Sequence, residues 1–167
     1  MLIFVDFDGV LANRTSSANR YPGPSKSTAW GTSVAQDWYD LDVKCIKVLN
    51  RLVDLTGAKV VISSAWREFF NQTNLVAHLK KFGFTGEVVG VTPVIIRAGR
   101  DEEIFSWMNS NEKDDYLVLD DEIGHLQRIP DGNMVWVKNG WKNGGLKSRR
   151  AKYELTRVLQ KRGIEWK

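Results

Sequence analysis

Two carboxylates two residues apart, Asp6 and Asp8, follow the apolar run Leu2-Ile3-Phe4-Val5. In an extended backbone residues i and i+2 point the same way, so both face one side. Charge beside a buried strand is costly unless something compensates it, and a divalent cation is the usual remedy for paired carboxylates. Asp115-Tyr116-Leu117-Val118-Leu119 repeats the logic by ending in Asp120-Asp121-Glu122. Between these stretches, Lys59-Val60-Val61-Ile62 ends in two hydroxyls, Ser63 and Ser64, with Arg67 close behind. A serine there either caps a helix or donates to a ligand, and Arg67 either binds an anion or pairs with an acid.

Such residues need strand ends to hold them together. Leu2–Val5, Lys59–Ile62, Glu87–Val91, the run before Asp120 and Met134–Val137 all read as short strands buried on both faces. Asp40 or Asp42 caps a helix whose inner face is Cys45, Ile46, Leu49, Leu52 and Val53, and Gly57 stops it. Strand, helix, strand in that order predicts βαβ units in a parallel sheet, the α/β class. Further helices are expected over 74–82, from Asp101 through Met108 after the lead-in Arg97-Ala98-Gly99-Arg100, and after Ser148 with Ala151, Leu155, Val158 and Leu159 inward. Ligands of open parallel sheets bind at the carboxyl ends of the strands, where Asp6, Asp8 and Ser63 would lie.

Residues 12–37 are polar and broken by Tyr21-Pro22-Gly23-Pro24 and Trp30-Gly31, so they read as a long loop or small flap. Tyr21, Trp30, Trp38 and Tyr39 either offer stacking surfaces to a base or pin this segment to the body. His78 reads as an exposed or supporting residue, and Cys45 as a small core residue.

A length of 167 residues suits one domain, taken as 1–167, with 43% hydrophobic and 26% charged residues as in ordinary globular proteins. No apolar run reaches the ~20 residues of a membrane span, and no basic segment precedes Leu2, so neither membrane nor secretion is expected. One cysteine forms no internal disulfide, which fits the cytoplasm. The net charge of +4 conceals an asymmetry: ten basic residues against two acids from Lys138 onward make that segment +8. It is either a solvated helix face or a surface for a polyanion.

Asp6-Phe7-Asp8-Gly9-Val10-Leu11 resembles the first motif of the haloacid dehalogenase (HAD) superfamily, mostly magnesium-dependent phosphatases. The second motif, a Ser or Thr donating to a phosphoryl oxygen, falls on Ser63, with Ser64 as alternative. The third, a Lys or Arg near the next helix, falls on Arg100, with Arg97 as alternative. The fourth falls on Asp120 and Asp121. Finer matches include Thr56-Gly57-Ala58-Lys59 running into Val-Ile-Ser-Ser-Ala-Trp-Arg, Gly90-Val91-Thr92-Pro93, and Leu-Asp-Asp-Glu. Together they resemble the small-capped HAD branch of Swiss Army knife RNA-repair proteins and their stand-alone bacterial and phage relatives.

The resemblance implies a three-layer, Rossmann-like parallel sheet with minimal or no cap. It implies a phosphomonoesterase that works through an aspartyl-phosphate. Asp6 would be the nucleophile and Asp8 the acid and base, with Ser63 and Arg100 on the phosphoryl oxygens and Ser64, Arg67 and Arg97 near the substrate. Mg²⁺ would be held by Asp6, the Asp8 carbonyl, Asp120 and Asp121. The substrate would be a phosphorylated nucleic-acid end, or a mononucleotide. Two other readings stay open: a two-cation nuclease using Asp6, Asp8, Asp120 and Asp121, and a non-catalytic nucleic-acid-binding module. No P-loop sequence occurs, so no such kinase is encoded in this stretch. Oligomeric state is not legible.

Overall fold

The computed structural model describes residues 1–22, 26–27, 33–34, 37–111 and 115–166. Its centre is a five-stranded, wholly parallel sheet. In chain order the strands are β1 (Leu2–Val5), the short pieces β2 (Arg20–Pro22), β3 (Lys26–Ser27), β4 (Ser33–Val34) and β5 (Asp37–Tyr39), then β6 (Lys59–Ile62), β7 (Val88–Val91), β8 (Tyr116–Asp120) and β9 (Met134–Trp136). The helices are α1 (Val43–Thr56), α2 (Gln72–Lys81), α3 (Arg100–Ser110), α4 (Gly140–Asn143) and α5 (Arg149–Gln160).

The sheet order is β7-β6-β1-β8-β9. Alternation along β1 divides the core. Ile3 and Val5 join the apolar faces of α1, α2 and α5, whereas Leu2 and Phe4 meet Ile104 and Met108 of α3 together with Leu126 and Ile129. From β1 the chain moves through α1 to β6 and through α2 to β7. It then crosses through α3, on the opposite face, to β8, and continues outward to β9. Reversing both direction and face keeps one crossover hand throughout. The reversal places the switch point between β1 and β8, where a crevice opens beyond the strand ends.

The predicted caps are real. Asp42 accepts from the Lys44 amide at 2.9 Å, and Gly57 closes α1 in the left-handed region at φ 63°. The segment 12–37 is not one loop. A 3-10 turn at Ser16–Ala18 leads into two small antiparallel ribbons, β2 with β5 and β3 with β4. Trp38 and Tyr39 are buried, so these two aromatics pin the segment to the body and are not free stacking surfaces. Trp38 packs on Phe70 at 4.4 Å and His78 at 4.1 Å between ring centroids. Trp30 lies outside the described residues. His78 is buried, with its Nε2 3.0 Å from the Tyr39 carbonyl.

Candidate active site

β1 delivers Asp6 at the switch point. Its amide donates to the Leu119 carbonyl at 3.0 Å, which fixes it against the end of β8. One carboxylate oxygen accepts from the Phe7 amide at 2.7 Å, and the other from Arg100 at 2.6 Å. The same Arg100 nitrogen donates to Asp120 at 2.6 Å, so one guanidinium bridges the acids that end β1 and β8. Oxygens of Asp6, Asp120 and Asp121 all lie within 4.8 Å of one another.

Burial and the crowding of carboxylates here raise the proton affinity of Asp120 and Asp121. Burial, then repulsion from Asp6, push Asp120 well above the ordinary carboxylate range, although Arg100 pulls the other way. Burial, then the charges of Asp6, Glu122 and Asp8, raise Asp121 to about 6. Burial opposes the charge on Arg100, but Asp6 and Asp120 outweigh it and strengthen its hold on the proton. Hard carboxylate oxygens in a compact set are the donors that Mg²⁺ takes, so these residues fit such an ion.

The Asp8 carboxylate turns away from this cluster. The Tyr39 hydroxyl donates to one of its oxygens and the Trp66 indole nitrogen to the other, the latter at 3.1 Å. Burial raises its pKa; the Tyr39 bond opposes that and Asp6 adds to it. Gly9 then turns the chain at φ 71°, and a Cβ there would stand 2.0 Å from an Asp121 oxygen. Asp121 thus packs over a residue that must be glycine. Gly140, at the start of α4, is equally constrained: a Cβ would stand 1.7 Å from the Gly9 carbonyl oxygen. Trp136 donates its indole N–H to the Asp121 carbonyl at 3.1 Å.

β6 delivers Ser63, whose amide donates to the Val5 carbonyl at 2.9 Å. Ser63 is buried, and its hydroxyl oxygen accepts from Thr92 at 3.4 Å, which leaves its own proton to donate. Ser64 instead accepts from the Trp66 amide at 3.5 Å and caps the 3-10 turn Ala65–Glu68. Arg67 is buried, donates to the Ser64 carbonyl at 2.5 Å and pairs with Glu103. Glu103 in turn accepts from the Ile95 amide at 3.0 Å and so holds the segment after β7 in place. Arg97 sits in that segment with a positive φ of 65°. Arg67, Arg97 and Arg100 line one open cavity of about 380 Å³ with Val94, Ile95 and His125.

The structure therefore brings Asp6, Asp120, Asp121 and Arg100 into one cluster, with Asp8 and Ser63 beside it on neighbouring strand ends. Arg67 and Arg97 stand on the flanking cavity, and Ser64 is taken up in a cap. Tyr39 reads from sequence only as a stacking or pinning aromatic, and no site role falls there on Trp66, Thr92 or Glu103. Their partners lie 29 to 58 residues away or, for Glu103 and Arg67, 36, a separation that no local pattern reports.

The model of the HAD domain in Swiss Army Knife RNA repair proteins matches residues 2–148. The chain belongs to that family. No curated protein and no solved structure matches it. The HAD match spans all five strands of the parallel sheet and every residue of the acidic cluster, and ends one residue before α5. As a HAD domain the chain is of phosphatase type. Among the described residues no helix is long and apolar enough to cross a membrane.

Proposed function

We propose that this HAD domain is a Mg²⁺-dependent phosphomonoesterase acting on the terminal phosphate of a nucleic acid through an aspartyl-phosphate on Asp6. The observation that carries the reading is the convergence of Asp6, Asp120 and Asp121 around Arg100, with Asp8 held apart by Tyr39 and Trp66. The family description, a domain of RNA repair proteins, supports the substrate class.

Asp6, Asp120 and Asp121 would hold the ion, with the Asp8 carbonyl as a further ligand. The ion supplies charge that lets a carboxylate approach a phosphoryl group. An Asp6 oxygen attacks phosphorus, and the P–O bond to the leaving group breaks. Asp8 gives its proton to the departing alkoxide, then takes one from the water that hydrolyses the acyl phosphate and frees Asp6. Burial favours the protonated Asp8 that the first step requires. The Ser63 hydroxyl and Arg100 donate to the phosphoryl oxygens; losing one such donor typically costs ~3 kcal/mol of transition-state stabilisation. The cavity lined by Arg67 and Arg97 also includes Arg100, so it would take the leaving group beside the phosphoryl site. The two-cation nuclease loses support because both oxygens of Asp8 already accept from Tyr39 and Trp66.

The test is phosphate release in Mg²⁺ from 3′-phosphate and 5′-phosphate oligonucleotides and from the matching mononucleotides. Oligonucleotides are expected to turn over faster. Faster mononucleotide hydrolysis would make the protein a nucleotidase, and faster cleavage of an internal phosphodiester would revive the nuclease. Asp6→Asn is expected to fold and to be inactive; turnover by that variant would remove Asp6 as nucleophile.

A further inference from the structure

The ten basic residues from Lys138 onward do not act alike, because the fold separates them. Arg157 bonds Asp131 at 2.7 Å and Glu154 at 2.8 Å, Lys161 reaches Asp131 at 3.5 Å, and Arg162 bonds Asp115 at 3.3 Å. Arg162 also donates to the carbonyls of Gly132 and Tyr116. Asp115, Asp131 and Gly132 precede β8 and β9, so these three cations pin α5 to the sheet at the end opposite the acids. Lys147 pairs with Asp42.

Lys138, Lys142, Arg149 and Arg150 form no ion pair among the described residues. Lys138 and Lys142 come soon after β9 and Arg149 and Arg150 open α5, at the end of the sheet that carries Asp120 and Asp121. Lys142, Arg149 and Arg150 are exposed, and Lys138 is half-buried. Lys152 instead lines a groove with Lys47 and Arg51 on the α1–α5 face.

Trp136 organises the strip. Lys138 Nζ stands 4.8 Å from its ring centroid and the Arg150 guanidinium carbon 5.8 Å, cation–π placements on one indole. The same indole holds the Asp121 carbonyl. Gly140, two residues from both Lys138 and Lys142, presses on the Gly9 carbonyl. The strip therefore abuts the two loops that carry the acids, yet none of its four cations pairs with Asp6 or Asp120, both of which are taken by Arg100. Clustered cations repel, and leaving them without counter-charges beside an anion-processing site is favourable when a polyanion supplies the charge.

We infer that Lys138 and Arg150, seated on Trp136, together with the exposed Lys142 and Arg149 nearby in the chain, form the track for the sugar-phosphate backbone of a single polynucleotide strand whose end enters the site. Asp6 is only 5% exposed, so a terminal phosphate must be threaded inward, which a strand can do after parting from any complement. The inference rests on the proposed phosphatase for its direction but not for strand binding itself.

The test measures binding of a fluorescent 12-nucleotide single strand ending in hydroxyls, which needs no turnover, by anisotropy across a salt series. Each phosphate neutralised on a single strand contributes ~0.7 to the slope of log K against log salt, so four contacts give about −3. Lys138→Ala with Arg150→Ala is expected to bring the slope to about −1.5. Lys138→Arg with Arg150→Lys, which keeps both charges, should retain about −3. Lys80→Ala with Lys161→Ala, remote cations, should also leave the slope near −3. A wild-type slope in Lys138→Ala with Arg150→Ala, or an equal fall in the remote pair, overturns the track. Thermal melting checks that every variant is folded. Strand binding with the expected slopes but no phosphate release from any monoester would sink the phosphatase and leave the track standing; release without strand binding does the reverse.

Discussion

In the proposed reaction Asp8 is the residue on which the chemistry turns, because as general acid it would have to carry a proton in a site full of negative charge. Burial and the nearby Asp6 favour its neutral form, while the hydrogen bonds from Tyr39 and Trp66 favour the carboxylate. Tyr39→Phe removes one of the bonds that favour ionisation, so the Asp8 pKa should rise further. As the general acid it must be protonated, and the alkaline limb of the kcat profile should therefore move to higher pH. Loss of one of two positioning bonds should also lower kcat about tenfold, a part of the ~10²–10⁴ that acid–base catalysis supplies in full. A limb that stays put, or moves down, would show that Asp8 is not the acid. Trp66→Phe should act in the same direction.

At the scale of elements, β5, the 3-10 turn Ala65–Glu68 and α2 are joined by aromatic stacking, and His78 is the imidazole within it. Its ring packs on Trp38 and lies 5.5 Å from Trp66, and it bonds the carbonyl of Tyr39, whose hydroxyl reaches Asp8. Burial lowers its pKa from 6.5 to about 4. The folded value lies below the unfolded one, so the neutral ring's contribution is complete above pH 6.5 and drains away as pH falls toward 4. The shift corresponds to about 3 kcal/mol. His78→Gln keeps a donor for the Tyr39 carbonyl but does not titrate. Urea midpoints at pH 7 and 4.5 should therefore differ less in His78→Gln than in the native protein, by most of that amount. Equal differences would show that His78 does not couple this cluster to pH.

The strands and α1 were legible because apolar runs, Asp42 and Gly57 act locally, and the strand ends announced the acids. Sequence could not order the strands, since the reversal between β1 and β8 depends on which face α3 covers. Nor could it separate cap from ligand at Ser63 and Ser64. In the fold Ser64 caps the turn through the Trp66 amide, and Ser63 bonds Thr92, 29 residues beyond it. The basic segment was legible only as a sum; pairing with Asp115 and Asp131 divides it into fastening cations and cations that form no ion pair among the described residues.

At the scale of the whole molecule, the acidic cluster exists only when the fold does. Asp6 ends β1 and Asp120 ends β8, 114 positions along the chain, and register places Val5 beside Leu119 so that the two acids meet. Folding must therefore drive like charges together, and Arg100 offsets only part of the repulsion, as the raised proton affinities of Asp120 and Asp121 record. An ion that binds all three carboxylates binds the native state far better than the unfolded chain, so its binding energy is added to stability. At ten times its Kd the gain is about 1.4 kcal/mol, which for a chain of this size is a rise in melting temperature of about 3–5 °C. Mg²⁺ should produce that rise in the native protein and a chelator should reverse it. Asp120→Asn should melt higher than the native protein without Mg²⁺, because one repelling charge is gone, and should respond little when Mg²⁺ is added. A native protein indifferent to Mg²⁺, or an Asp120→Asn variant stabilised to the same extent, would mean that the acids meet for some purpose other than holding a metal.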